Sequence, residues 1–398
     1  GTVTAATGKG YFVNTTSGEI TVNLPAASVG SIVAVSDYAS TAASNNIIVA
    51  PNGSEKINGV NDSYKIQTAG LAVTLVYADA TKGWKSVTGS DADATGVVPL
   101  YVVATGGSPC TGSICGDYKT HSFTGPGTLT VSCAGNAAGN AKVDYLVVAG
   151  GGSGGSYTPG THGAAGGGGG GGFRESKVPG APWTASPIVS ATSLTLPATP
   201  YPITVGGGGA AVFDPPGTGN KGSDSVLSTI TSTGGGYGGH NPLFDGGPGG
   251  SGGGGGGTGD GGVGGTGNDP TQTPAQGTDG GDALTTVPAY GNGGGGGATE
   301  AGVDGTNPAA GRGGAGATTC ISESPTAYAG GGGGSSYPGG TAGAASPCGT
   351  GGAGNNTPAA AGNGTTNRGG GGGGHGTVIG SVSGAGGSGV VVIRYKFQ

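Results

Sequence analysis

Side chains capable of acid–base or metal chemistry are sparse and scattered in this sequence. None of the 4 histidines has the spacing of an HExxH motif, a zinc finger or a nucleophile elbow. GxGxxG strings recur because glycine is abundant, and none of them opens a helix after a strand, as phosphate binding requires. A carboxylate pair for glycoside hydrolysis could come from Asp260, Asp269, Asp279 and Asp282, but any acidic loop offers two carboxylates. We therefore predict no enzymatic activity and no bound metal or cofactor.

The 5 cysteines leave several pairings open. An odd number requires at least one thiol to be free or joined to another molecule, and sequence does not fix the connectivity. Cys110 and Cys115 could close a small loop, and Cys320 could join Cys348 across a larger one. The fifth is Cys133, and none of them has a metal-finger partner.

Aromatic and basic side chains near the glycine runs are the better candidates for binding. Loops on a rigid scaffold commonly carry recognition, and aromatic rings provide flat contact area at a low entropic cost. The candidate residues are Tyr157, His162, Phe173, Arg174, Trp183, Tyr237, His240, Phe244, Tyr290, Tyr328 and Tyr337. As an alternative, several of these rings cap the glycine segments and shield their backbone from water. Trp84 and Tyr201 lie in strand-like segments, and we assign both to the core.

The composition excludes several classes of protein. The 103 glycines and 24 prolines are typical of disorder, but a net charge of only −6 and the many Val, Ile and Thr residues favour an ordered chain. A pI near 5.0 gives no basic footprint for nucleic acid. The N-terminal GTVTAATGKGYFV lacks the pattern of a signal peptide, and no apolar run is long enough for a membrane span. We expect neither nucleic-acid binding nor membrane insertion.

The first part of the chain, residues 1–88, is predicted to be a small all-β domain. Strand-like runs such as EITVNL, SIVAVSD and AVTLVY alternate with Asn-Gly turn signals, a pattern typical of a β-sandwich or barrel. Residues 89–104 are predicted to be a linker. Within it, the spacing of Asp91, Asp93 and Thr95 is similar to the start of a calcium loop, but Val102 stands where the bidentate glutamate belongs.

Residues 105–398 are predicted to form a second domain framed by β-strands. DYKTHSF, GTLTVSC and VDYLVVAG begin it, and GVVVIRYKF ends it. Between them, glycine runs start roughly 40 residues apart, which indicates a quasi-repeat, and the intervals are expected to be loop-like. The runs are 166–172, 206–209, 252–257, 293–297, 330–334 and 369–374.

Ordered polyglycine can form an extended helix with three residues per turn and no internal hydrogen bonds. Its buried backbone groups must then pair with neighbouring segments, and only glycine lets backbones approach that closely. We therefore predict mainly β structure with almost no helix, combined with packed polyglycine II helices. The structural glycines are expected to include Gly169, Gly255, Gly295, Gly332 and Gly371. A valine at position 169 or 255 should unfold the bundle.

These segments resemble a known family. GDYKTHSFTGPGTLTV, VDYLVVAGGGSGG, YPITVGGGG and GVVVIRYKF together are similar to the glycine-rich domain of bacteriophage tail-fibre and receptor-binding proteins. EITVNLPAASVGSIVAVSDYAS and LVYADATKGWKSV are similar to a small β domain of phage fibre and virion-appendage proteins. The proline-containing intervals and the 5 cysteines depart from the tip adhesins of T-even-type phages, which use a polyglycine II bundle.

The resemblance implies a virion fibre or adhesin that is assembled in the host cytoplasm and exposed on the particle surface. It implies a homotrimer, contacts with other virion proteins, and a bacterial surface receptor that is a glycan or an outer-membrane protein. The N-terminal domain would serve attachment or trimerisation. Two alternatives are a purely structural head, neck or tail fibre and an ice-binding protein, although the irregular intervals here argue against ice binding.

Overall fold

The fold is taken from a computed structural model. It describes residues 1–87, 100–137, 139–156, 163–213, 217–240, 244–257, 261–284, 290–337, 339–376 and 382–398. The strands are β1 (Thr2–Thr4), β2 (Lys9–Val13), β3 (Ile20–Asn23), β4 (Ile32–Asp37), β5 (Ile47–Ala50), β6 (Tyr64–Ile66), β7 (Ala72–Asp79), β8 (Gly83–Ser86), β9 (Val102–Thr105), β10 (Ser108–Cys115), β11 (Tyr118–Phe123), β12 (Gly127–Ala134), β13 (Lys142–Val148), β14 (Phe173–Ser176), β15 (Leu194–Thr195), β16 (Pro200–Thr204), β17 (Ser225–Leu227), β18 (Ile230–Ser232), β19 (Ala317–Thr319), β20 (Thr326–Tyr328) and β21 (Val390–Lys396).

The predicted fold class is confirmed, since the described residues form strands and extended segments but no helix. In particular, none of them forms an apolar helix of membrane-spanning length. The chain divides into two compact units. Unit 1 comprises Gly1–Leu100 and Asn136–Gly139, and unit 2 comprises Tyr101–Gly135 and Asn140–Gln398.

Unit 1 is a β-sandwich in which the first five strands alternate between two sheets. One sheet has the order β1-β3-β5-β6 and the other the order β2-β4-β7-β8. Inward side chains alternate along strands such as β4, where Val33 and Val35 are buried while Ala34 between them is partly exposed. Trp84 is fully buried in this core, as the sequence predicts.

Unit 2 contains a second sandwich made of antiparallel strands. The order β10-β11-β21-β13-β14 forms one sheet, with β15 added beside β13, and β18-β17-β16-β12-β9 forms the other. Their facing side chains build a core that includes Leu129, Ile203 and Leu227. Tyr201 lies at its margin, partly buried, and its hydroxyl donates to the Pro197 carbonyl at 3.0 Å. The last strand of unit 2, β21, lies between β11 and β13, two strands from the early part of the unit.

The β13 strand is buried on both faces, which explains its nearly continuous apolar sequence. Val143, Tyr145 and Val147 face the core between the two sheets. Leu146 and Val148 face a second core on the opposite side. The glycine-rich segments begin directly where this strand ends, at Ala149.

The glycine run 166–172 shows the hydrogen-bond pattern of a polyglycine II helix. Every third amide donates to the same neighbour, and the three neighbours that accept in turn are residues 233–239, 293–296 and 369–372. Typical distances are 2.8 Å from the Gly169 nitrogen to the Gly236 oxygen and 2.9 Å from the Gly170 nitrogen to the Gly296 oxygen. The three-fold screw of the helix sends successive amides in three directions.

The carbonyl groups of the same run point to three further neighbours. They accept amides from residues 149–155, 251–254 and 332, so that the run is surrounded by six chain segments. The pairing with 149–155 is antiparallel, since Gly152 donates to Gly169 and Gly155 to Gly166, whereas residues 293–296 run parallel to it. Packed peptide groups replace side chains as the interior of this bundle.

Glycine is required here because any side chain would enter a neighbouring backbone. A Cβ built on Gly169, Gly255, Gly295, Gly332 or Gly371 would lie less than 3.0 Å from a backbone oxygen of another segment. The Gly207 position differs, because nothing lies within 4 Å of a Cβ built there. The requirement for glycine is therefore strict at these bundle positions and relaxed at Gly207.

The structure corrects two expectations, one about the intervals between the glycine runs and one about the end of the linker. The intervals between glycine runs are not simply loops, because residues 233–239, 261–265 and 310–316 also hydrogen-bond as bundle strands. The predicted linker ends too late, because β9 begins at Val102 and pairs with β12. Most of that linker, including Asp91, Asp93 and Thr95, lies outside the described residues.

Candidate functional site: the distal end of the glycine bundle

The bundle has one end at the sheets and one end away from them, which we call the distal end. Strand 149–155 leaves β13, and run 166–172 returns to β14, so residues 155 and 166 mark the level at which the distal end begins. The distal end comprises the described residues of 153–156, 163–166, 210–213, 217–220, 238–240, 244–246, 255–257, 261–263, 282–284, 290–293, 304–310, 334–343, 354–361, 374–376 and 382–384.

A layer of buried polar side chains closes the strands at this end. The Ser335 hydroxyl accepts the Ala165 amide at 2.8 Å and lies 3.0 Å from the Ala165 carbonyl oxygen, to which it donates. The Asn292 side chain is fully buried, and its Nδ2 donates to the carbonyl oxygens of Tyr290 at 3.1 Å and Ser335 at 2.9 Å. Where a neighbouring strand ends, these side chains hydrogen-bond to the backbone groups that the strand no longer reaches, so the buried backbone groups stay paired.

Two buried histidines belong to the same layer. His375 is fully buried, and its Nε2 lies 2.8 Å from the Thr357 oxygen and 2.9 Å from the Ala359 oxygen, so this nitrogen carries the proton and donates. Desolvation lowers the pKa of His375 below its ordinary value. Burial also lowers the pKa of His240, to about 4. Both imidazoles are therefore neutral at pH 7.

Four of the predicted binding residues lie at the distal end or beside it and are partly exposed. The rings of Tyr290 and Tyr337 have centroids 6.2 Å apart and meet at 90°. The Phe244 ring lies against Gly257, and the Tyr237 ring lies against Gly247 on the side of the bundle. Phe244 and Tyr237 thus cover glycine backbone, as the capping alternative predicts, while the tyrosine pair forms an open corner.

Four other predicted residues lie at the sheet end. Phe173, Trp183 and Tyr328 are no more than 6% exposed and form part of the second core, so their side chains are not available to a partner. Arg174 is partly exposed, and it donates to Gln272 Oε1 at 2.5 Å. Sequence alone did not separate these four residues from the aromatic residues at the distal end, because both sets adjoin glycine runs.

The contacts of Trp183 show why it is a core residue. Its Nε1 donates to Asp144 Oδ2 at 2.7 Å, and Asp144 is buried opposite Arg394 across the β13–β21 pair. Desolvation raises the pKa of the Asp144 carboxyl. Desolvation also raises the pKa of Glu175, whose Oε2 accepts the Ser186 amide at 2.8 Å. These buried polar groups lie between the sheet and the chain segment that packs on it.

Aspartates on the rim of the bundle accept hydrogen bonds from backbone amides that have no neighbouring strand to donate to. Asp282 Oδ1 accepts the Gly264 amide at 2.7 Å, Asp279 Oδ1 accepts the Gly267 amide at 2.7 Å, and Asp304 Oδ1 accepts the Asp282 amide at 2.9 Å. Sequence reasoning missed this role, although isolated Asp residues beside glycines were its visible signal.

All five cysteines are free thiols, so neither of the two considered disulfides forms. The described residues contain no group of three or more His, Cys, Asp or Glu side chains that could hold a metal ion. Tyr157, His162 and Asp260 lie outside the described part of the chain.

Comparison with known proteins assigns most of unit 2 to a family. No curated protein matches the chain significantly. A family model described as a glycine-rich domain matches residues 123–396, and because this match covers more than half of the sequence, the chain belongs to that glycine-rich domain family.

Proposed function

We propose that this chain is a virion fibre or adhesin protein that binds the surface of a bacterial host through the distal end of its glycine bundle. The observation that carries the proposal is the partly exposed tyrosine pair, Tyr290 and Tyr337, held at the end of a rigid bundle. A rigid scaffold that presents aromatic side chains at one end is suited to recognition, because little ordering entropy is lost on binding.

The proposal includes a homotrimer and contacts between unit 1 and other virion proteins. Several copies on one particle would raise the avidity for a host surface above the affinity of a single distal end. The protein would lie on the virion surface after assembly in the host cytoplasm. Light scattering of the purified chain tests the trimer directly.

Binding of the fluorescently labelled full-length chain to a panel of bacterial strains tests the proposed function. We expect strain-selective binding that the double variant Tyr290→Ala, Tyr337→Ala loses. The control is Tyr38→Ala in unit 1, where the tyrosine is 68% exposed and outside the proposed site. A folded, multimeric chain that binds no strain would instead favour a purely structural appendage.

A further inference from the structure

The tyrosine pair at the distal end forms a corner that is suited to one class of ligand. Its two ring faces stand at 90° with centroids 6.2 Å apart, and both side chains are partly exposed. The faces of aromatic rings carry negative charge density and attract weakly positive C–H groups. A sugar ring presents a flat face of C–H groups together with hydroxyls at its edges, and it can therefore stack on one ring while it contacts the other.

The corner is held in place before any ligand arrives. The buried Asn292 amide donates to the Tyr290 and Ser335 carbonyl oxygens and so ties together the two segments that carry the rings. Tyr290 has a positive φ of 36°, a left-handed backbone conformation that residues other than glycine rarely adopt. Residues fixed in this way lose little conformational entropy on binding.

Polar groups for hydroxyl recognition lie beside the corner. The 306–309 turn is closed by a 2.7 Å bond from the Thr306 amide to the Ala309 oxygen, and it packs against Gly291, the residue after Tyr290. Asn307 of this turn and Asp304 just before it are exposed. The Asn amide can donate to and accept from sugar hydroxyls, and the Asp carboxylate can accept from them.

The charge of the distal end narrows the ligand class further. Its described residues include the exposed Asp245, Asp282 and Asp304 but no Lys or Arg. A surface on which carboxylates outnumber cations repels phosphate, sulfate and carboxylate groups. An anionic polymer is therefore a poor ligand for this surface.

We propose that the corner formed by Tyr290 and Tyr337, together with Asp304 and Asn307, binds an uncharged sugar unit of a bacterial surface polysaccharide. This inference rests on the proposed function, and it selects a neutral glycan over an outer-membrane protein as the primary contact. The ring of the sugar stacks on a tyrosine, and its hydroxyls bond to the Asp304 carboxylate and the Asn307 amide.

The first test measures the full-length chain on an array of neutral oligosaccharides ending in glucose, galactose or N-acetylglucosamine, and of sialylated and phosphorylated ones. We expect binding to some neutral members, at least a tenfold loss in Tyr337→Ala, and no loss in Tyr38→Ala. Saturation-transfer NMR on the wild-type chain should show transfer from tyrosine ring protons to sugar C–H protons, whether or not the variant folds. Binding confined to anionic members, or no transfer from tyrosine, would overturn the inference.

A second experiment separates this inference from the proposed function. Host cells are treated either with periodate, which destroys surface sugars, or with protease, which removes exposed proteins. Loss of binding after periodate alone supports the sugar site. Loss after protease alone overturns the sugar inference but leaves the adhesin proposal standing. No binding to any untreated strain contradicts the adhesin proposal itself.

Discussion

At the scale of single residues, burial separates side chains that the sequence presents as equivalent. His240 is 1% exposed in the distal layer, whereas Tyr290 and Tyr337 nearby are partly exposed. Trp183 adjoins the glycine-rich segments in the same way, but it is 6% exposed and donates to a buried carboxylate. The titration behaviour and the stability of the protein should follow these environments.

Acidification should destabilise the chain through His240. Its pKa is near 4 in the folded state against 6.5 for the ordinary group, so the unfolded chain binds a proton that the folded chain does not between these values. The contribution of His240 to the free energy of unfolding is therefore fully present above pH 6.5. It falls by on the order of 3 kcal/mol as the pH decreases toward 4. Urea unfolding at several pH values should show a smaller decline in His240→Gln than in the wild type. Equal declines in the two proteins would contradict the prediction.

The Trp183→Phe variant should lose stability through its buried partner. Phenylalanine keeps most of the apolar contact but removes the N–H that satisfies Asp144 Oδ2. We expect a loss of about 1–3 kcal/mol in the free energy of unfolding, measured in urea at pH 7. The Tyr38→Phe variant, altered at an exposed side chain, serves as the control. An unchanged stability with a loss of cell binding would return Trp183 to the binding residues.

At the scale of elements, a glycine segment is defined by what surrounds it. The 166–172 run is enclosed by six other segments, and its amides reach three of them in strict rotation. Aspartates replace a missing strand at the rim, where Asp282 accepts the Gly264 amide. Glycine positions therefore differ in their tolerance to substitution, since Gly169 is enclosed by backbone whereas Gly207 is not.

Alanine substitutions at two glycines should have opposite outcomes. A Cβ at position 169 would collide with the Ser251 carbonyl oxygen, and Gly169→Ala should lose about 3 kcal/mol or more of stability. A Cβ at position 207 meets nothing within 4 Å, and Gly207→Ala should be neutral or gain about 0.4–1 kcal/mol, because alanine lowers the entropy of the unfolded chain. Thermal melts of the two variants check this. Similar losses in both would contradict a core of packed backbones.

At the scale of the whole molecule, two kinds of interior occur in one chain. Unit 1 has a conventional apolar core that contains Trp84 and Val33, whereas much of the interior of unit 2 consists of peptide groups. Exposure of apolar surface on unfolding raises the heat capacity, and exposure of polar surface lowers it. The two units should therefore differ in their thermodynamic signature.

The heat-capacity change of unfolding should be unusually small for the glycine bundle. Ordinary domains show about 12–15 cal/mol/K per residue, and we expect less than this for the transition that unfolds unit 2. Differential scanning calorimetry of the full chain measures the value, and the transition of unit 1 serves as the internal reference. A value for unit 2 within or above the ordinary range would mean that apolar burial dominates there as well.

Much of the strand framework could be read from the sequence. Segments such as SIVAVSD and GVVVIRYKF correspond to β4 and β21, because alternating or continuous apolar residues leave little choice of structure. Short strands such as β17 and β19 were missed, since three residues carry no periodic signal. The distal corner was anticipated only as separate residues, because Tyr290 and Tyr337 lie far apart in sequence.

Residue types and their local order by themselves determined a helix-poor β framework and glycine runs that must pack backbone against backbone. Glycine's lack of a side chain sets that requirement locally, before any neighbour is known. Only the tertiary structure decided which segments surround the 166–172 run and that Trp183 is buried while Tyr337 is partly exposed. The physical reason is that polyglycine II segments are nearly identical in composition. Their local sequence therefore does not specify which segments become neighbours.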